Sequence, residues 1–248
     1  MPVMTSELSF FEHLDELRKR LVISLAAFFI ALIVPFIYSD WLLDILVRPL
    51  TGEVASVYFF SPADAFIVKI KVSLLAAIVL SAPVVFGQLW LFISPALYGN
   101  EKRTILPLVF ITTALFLLGA LFSFYEVAPA ALHFLIGMQT PFMKPMVSVS
   151  EYISFLTSMV FAFGVAFNLP VFILALVGSG IVNTRTLHKF HRFFIVLIFI
   201  AAAVLTPGPD VASQLLLAVP LLILFELSLV GAVIIEKIRN KKRIQASA

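Results

Sequence analysis

The chain has 248 residues, of which 62% are hydrophobic and only 12% charged, and it carries a formal net charge of +3. That leaves too little polar surface to solvate a globule of this length, so a soluble enzyme is excluded and lipid is the implied solvent. Cysteine is absent, which removes disulfides, thiol nucleophiles, thiolate zinc sites and iron–sulfur clusters from consideration.

In chain order, the first twenty residues are polar where a cleavable leader would be apolar, with Glu7, Glu12, Asp15, Glu16, Arg18, Lys19 and Arg20. The first apolar run is therefore expected to stay in the mature protein. Phe10, Leu14, Leu17 and Leu21 recur at helical spacing with Glu12, Asp15, Glu16, Lys19 and Arg20 on the other side, the pattern of an amphipathic helix lying at an interface. Asp15 with Lys19 and Glu16 with Arg20 are i, i+4 pairs of favourable polarity.

Six apolar spans follow, roughly at 21–38, 67–93, 105–125, 152–178, 190–206 and 212–235, and a basic tail at 236–248 closes a single integral membrane domain. An even number of spans puts both ends on one side. Thirteen of the seventeen Lys and Arg residues fall on that side: Arg18, Lys19, Arg20, Lys102, Arg103, Arg185, Lys189, Arg192, Lys237, Arg239, Lys241, Lys242 and Arg243. Only Arg48, Lys69, Lys71 and Lys144 fall opposite. By the positive-inside rule both termini are expected in the cytoplasm, and the net charge then needs no nucleic acid to explain it, since orientation and anionic lipid suffice.

The fifth span is expected to be short, because Phe193 to Leu205 rises only ~20 Å against a hydrocarbon core of ~30 Å. A hairpin of helices five and six around Thr206-Pro207-Gly208-Pro209-Asp210 would then sit in locally thinned bilayer. Ser9-x-x-Glu12, Ser61-Pro62-x-Asp64 and Ser148-x-x-Glu151 read as helix starts. The connections 39–66 and 126–151 hold several prolines among apolar residues and are expected to form short structured caps. Pro83, Pro107, Pro170 and Pro220 should bend or break their helices, and bent helices make a concave wall.

Two further features bear on function. The loop after the second span carries Glu101 between Asn100 and Lys102-Arg103, behind Phe92, Pro95, Leu97 and Tyr98. Glu101 can be read as a charge complementing a helix dipole, or as an acceptor for the guanidinium fork of an arginine-bearing peptide. Glu226 is an ionisable residue within the sixth span, and Gln88 and Gln214 are neutral groups able to bond helix to helix. Helices interrupted by proline also suit a secondary transporter or channel for a small solute, but no internal repeat is visible and Glu226 is thin equipment for a coupled-ion path. No His-Glu-x-x-His or Gly-x-Ser-x-Gly motif is present, so an intramembrane enzyme has no support, and no cofactor or metal is implied.

Four motifs in order strongly resemble the TatC family, the large core subunit of the twin-arginine translocase. They are Phe11-Glu12-His13-Leu14-Asp15-Glu16-Leu17-Arg18-Lys19-Arg20, then Ser61-Pro62, then Phe92-x-x-Pro95-Ala96-Leu97-Tyr98-x-x-Glu101-Lys102-Arg103, then Thr206-Pro207-x-Pro209-Asp210 with Gln214. The resemblance implies a cell (inner) membrane receptor for the twin-arginine signal peptides of folded proteins, exported with the proton-motive force, that works with TatA, TatB and other copies of itself. It implies a binding patch of Glu16, Phe92 and Glu101, shaped by Leu17, Arg18, Pro95, Leu97, Tyr98, Lys102 and Arg103. Taken with the proline kinks it implies a cupped bundle with Asn168 facing the concavity, and it implies partner contacts or intramembrane polar roles at Gln214, Asp210, Glu226 and Asn168. At Asn168 the chain departs from the family, which commonly carries a glutamate there; an amide cannot ionise.

Overall fold

A computed structural model describes residues 5–51, 57–98, 105–137, 146–205 and 211–246. The described chain is almost entirely helical: α1 (Thr5–Ile37), α2 (Ser39–Thr51), α3 (Asp64–Tyr98), α4 (Ile105–Phe122), α5 (Ala128–Gly137), α6 (Val149–Ala166), α7 (Leu169–Ser179), α8 (Thr184–Leu205) and α9 (Val211–Ala246). Two short strands, β1 (Val57–Tyr58) and β2 (Val147–Ser148), pair in parallel. Six segments are long and apolar enough to cross a membrane, α4 with α5 and α6 with α7 each making one. The helical solution follows from the solvent, since hydrocarbon offers no partner for backbone N–H and C=O groups.

The ends of the bundle are tied by different chemistry. On one, here the near face, the start of α1 meets the end of α3 and the α7–α8 turn meets the end of α9. On the far face, β1 joins β2, the Tyr152 hydroxyl donates to the Leu46 carbonyl at 2.8 Å, and Lys69 pairs with Asp40 at 2.8 Å. Both connections expected to cap the structure contain order: α2 lies in the first, α5 and β2 in the second.

Helix starts follow local chemistry at two of the three expected sites. Asp64 accepts from the backbone N–H groups of Phe60 and Ser61 at 3.0 and 2.9 Å, and Ser148 caps α6 by accepting from the Glu151 N–H. Ser9 does not start a helix, because α1 already runs from Thr5 and no Pro or Gly interrupts it there. The fifth helix is likewise not short: α8 has 22 residues, about 33 Å. Its first turns, with Arg185, His188, Lys189, His191 and Arg192, are as helical as the apolar run that follows, and hydropathy alone undercounted them.

Proline placement explains two interruptions. α6 gives way to α7 at Phe167 and Asn168, two residues ahead of Pro170, whose missing N–H falls in the first turn where none is needed. Between α4 and α5 the chain makes a π-turn, Ser123–Val127, closed by the Ala128 N–H donating to the Ser123 carbonyl. Pro129 follows directly, and the wider turn moves the preceding carbonyls away from its ring. By contrast, α3 runs unbroken through Pro83 and α9 through Pro220.

The centre of the bundle is the crossing of α4 and α6. A Cβ at Gly119 would lie 2.5 Å from the Phe163 carbonyl oxygen, and one at Gly164 would lie 2.6 Å from the Phe116 ring. Each glycine thus admits the opposite helix, the small-residue packing that substitutes for a hydrophobic driving force in lipid. Trp90, wholly buried, extends this core by stacking on Phe172 at 5.3 Å and donating to the Thr112 hydroxyl at 3.2 Å. A concavity of about 890 Å³ is walled by α1, α2, α3, α4 and α6 through Val34, Trp41, Leu75, Leu80, Leu121 and Val160. Asn168 does not face it. It is 1% exposed and its amide donates one turn back to the Gly164 carbonyl at 2.9 Å.

On the near face, α9 clamps the turn between α7 and α8. Glu236 accepts from the Thr184 N–H at 3.0 Å, and Arg239 donates to the Val177 carbonyl, so an anion caps one helix start and a cation caps the other helix end. Gly180 makes this possible with φ +85°, and a Cβ there would lie 2.8 Å from an Arg239 nitrogen. Two outcomes follow. Gly119→Ala should lower stability by about 1–3 kcal/mol, because the obstructing atom is backbone. Gly180→Ala should cost about 1 kcal/mol through the left-handed conformation, with loss of the Arg239 contact in addition. Thermal unfolding of the detergent-solubilised variants measures both, and an unchanged midpoint for either would contradict its packing account.

Candidate functional site

The near-face seam between α1 and α3 gathers the polar groups of the N-terminal segment. Arg20 donates from one guanidinium nitrogen to the Glu16 carboxylate at 3.2 Å and from the other to the Gln88 side-chain oxygen at 3.1 Å. One turn earlier, the His13 ring stacks on Phe92, with centroids 4.5 Å apart and planes 21° from parallel. His13, Glu16 and Arg20 recur at i, i+3 and i+7 and so share one side of α1. An i, i+4 ion pair alone contributes a few tenths of a kcal/mol. Its structural consequence is larger here, because Gln88 on α3 fixes the guanidinium, and the guanidinium fixes the carboxylate.

One strip of this segment, His13, Glu16 and Arg20, lies along α3, while Glu12, Asp15 and Lys19 and the apolar Leu14, Leu17 and Leu21 are all exposed, Leu17 at 43%. The Glu16 side chain keeps 34% exposure, enough to receive a ligand while held by Arg20. Arg18 is exposed on the same helix.

Among the residues singled out by sequence, Glu16 and Phe92 are brought to this one seam, with Leu17 and Arg18 beside it. Pro95, Leu97 and Tyr98 belong to the C-terminal end of α3. Glu101, Lys102, Arg103 and Asp210 lie outside the described residues, as does the whole Thr206–Asp210 segment. The helix-to-helix bond expected of Gln88 is made, with Arg20 as the partner that the sequence did not identify, and the stacking of His13 on Phe92 was missed, because it joins residues far apart in the chain.

The intramembrane polar residues do not form one cluster. Gln214 donates to the Phe199 carbonyl at 2.9 Å, tying α9 to α8. Glu226 is no buried acid: its side chain is 53% exposed and pairs with His191 of α8 at 2.6 Å. A helix cannot bury every residue it presents to a single neighbour, and Glu226 lies at the edge of the α8–α9 contact. Asn168 sits apart at the α6–α7 break, its side-chain oxygen Oδ1 buried without a hydrogen-bond partner. Among the described residues no three His, Asp or Glu side chains are placed to hold a metal ion.

The seam makes one prediction. Gln88→Leu leaves Arg20 tied to α1 alone, so spin labels at Glu12 and Leu91 should show a broadened distance distribution by double electron–electron resonance. An unchanged distribution would mean that the His13–Phe92 stack and lipid suffice to hold the helices together.

Comparison with known proteins bears directly on this arrangement. The family model described as Sec-independent protein translocase protein (TatC) matches residues 12–220. The chain is 39% identical over 238 residues to the Sec-independent protein translocase protein TatC of Aquifex aeolicus, covering 94% of this chain and 98% of that one. It is 38% identical over 222 residues to the protein of the same name from Carboxydothermus hydrogenoformans, covering 90% and 91%. Among solved structures, a crystal structure of the twin arginine translocase receptor TatC matches with a TM-score of 0.82 and 39% identity, over 90% of this chain and 99% of that one. The match runs from the α1 segment carrying His13, Glu16 and Arg20 to Pro220 in α9, and so spans both sides of the seam: this multi-pass membrane chain belongs to the TatC family of Sec-independent protein translocase proteins.

Proposed function

We propose that this chain is the receptor of a twin-arginine translocase, binding the paired arginines of signal peptides on folded proteins for export driven by the proton-motive force. The observation that carries this reading is the Arg20-held Glu16 carboxylate beside Phe92, at the end of the helix that leads to Glu101. A fixed carboxylate accepts a guanidinium through two parallel hydrogen bonds that an ammonium cannot make. Phe92, Leu17, Pro95, Leu97 and Tyr98 supply the apolar and aromatic surroundings for the peptide, while Arg18, Lys102 and Arg103 set the charge around the acids. Pairing with Arg20 fits a receptor, because it orients Glu16 while leaving part of the carboxylate exposed.

Orientation supports the same reading. Thirteen of seventeen basic residues cluster on the near-face segments and their adjoining loops, which favours a cytoplasmic near face and cytoplasmic termini in the cell membrane. Signal peptides of folded precursors would then meet the patch before export. TatA and TatB are the single-span partners this reading requires, with Gln214 in the first turns of α9, and Asp210 ahead of it in sequence, as the region of contact. Glu226 and Asn168 are assigned intramembrane polar roles, Asn168 without a charge. Other copies of the chain complete the assembly.

The test is binding of a fluorescent signal peptide to the purified chain in nanodiscs, with paired arginines compared against paired lysines. Arginine should bind more tightly, and Glu16→Gln and Glu101→Gln should each weaken it about tenfold or more, the scale of a charged hydrogen bond left unmade. Equal binding of both peptides, or full affinity in both variants, would refute the receptor assignment.

A further inference from the structure

The opposite side of the near face holds a second feature that the signal-peptide reading leaves unused. Although α7 and α8 share a turn, α8 packs along α9, and a groove of about 420 Å³ opens between α7 and α8. Its walls are apolar, with Ile173 and Leu176 from α7 and Leu187, Phe190, Phe193 and Leu197 from α8. Along the edge of α8, Arg185, Lys189 and Arg192 recur at i, i+4 and i+7, all exposed. The Arg192 guanidinium lies 5.2 Å from the centroid of the Phe193 ring, which brings a cation to the groove wall itself.

Charges on the neighbouring elements leave this edge basic. α7 has no titratable side chain. Glu226 pairs with His191 on the side of α8 turned toward α9, away from the groove. Glu236 caps Thr184 and acts on Arg185, so Arg185 is partly neutralised. Lys189 and Arg192 make no ion pair among the described residues. An apolar slot beside a membrane-spanning helix, with two cations at its edge that make no ion pair among the described residues, matches one chemistry: a fatty-acyl chain attached to a phosphate.

The geometry points to a structural site for one anionic phospholipid, an acyl chain lying between α7 and α8 and its phosphate held by Lys189 and Arg192. Basic pockets between transmembrane helices recognise such headgroups, with each Lys or Arg strengthening binding about fivefold. The lipid fills the space that the divergence of α7 and α8 leaves, and so braces α8 from the side that α9 does not reach.

Native mass spectrometry of the full chain in detergent tests this, with cardiolipin and phosphatidylglycerol as anionic probes and phosphatidylcholine as the neutral one. The anionic lipids should be retained preferentially, and Lys189→Gln with Arg192→Gln should weaken retention tenfold or more. Arg192→Lys should keep it, while Lys237→Gln, which removes a near-face charge elsewhere, should leave it unchanged. Thr186→Phe, which narrows the groove without touching a charge, should also weaken it, and water-soluble glycerol phosphate should not compete. Equal retention of phosphatidylcholine, or no effect of the double substitution, would overturn the site. So would competition by glycerol phosphate, since a charged patch alone would then suffice, or a co-purifying single-span helix seated in the groove in place of lipid.

Discussion

Close approach of α4 and α6 at Gly119 and Gly164 is the contact on which the rest of the bundle depends. In lipid, side chains gain little by leaving their solvent, so helices associate only where their backbones come near enough for dense packing. Here the approach is so tight that either glycine would drive a Cβ into backbone or ring. Fixing these two helices positions Phe116, Phe163 and Trp90, and through the Trp90–Phe172 stack it connects α3 to α7. Asn168 is buried one turn beyond Gly164, with its amide donating to the Gly164 carbonyl.

Polar groups in this protein work mostly at helix ends and between neighbouring helices. Glu236 and Arg239 answer the opposite dipoles of α8 and α7, Gln214 joins α9 to α8, and Arg20 with Gln88 joins α1 to α3. Each bond is modest by itself. Together they set the angle at which long helices leave the packed centre, which determines that α1 offers Glu16 and Phe92 along one seam and that α8 leans toward α9 and away from α7. The two functional surfaces proposed for the near face therefore follow from the same few helix-end contacts.

How far the sequence was legible varied with the kind of feature. The six spans were readable because twenty or so apolar residues have few alternatives to a membrane helix. The caps at Ser148 and Asp64 were readable because their chemistry is local. The site was half legible: Glu16 with Arg20 is an i, i+4 pair visible in any helix, and Phe92 was singled out through a motif. That Phe92 meets His13, and that Gln88 holds Arg20, involves residues separated by 79 and 68 positions, and no local pattern encodes such distances. Hydropathy failed in a different way at α8, where polar turns are helical although they are not apolar.

Composition and periodicity by themselves determined that this is an all-helical membrane protein with six spans and a polar N-terminal segment, because the cost of an unpaired backbone group in hydrocarbon admits hardly any other answer. The order of its motifs carried the family. Only the tertiary structure decided which side of the amphipathic segment meets α3, that Asn168 is buried at a helix crossing, that Glu226 is exposed and paired, and that α7 and α8 part to leave a groove. Those outcomes depend on the rotation and tilt of each helix about its neighbours, which are set by side-chain volumes at a few distant contacts and leave no periodic trace in the chain.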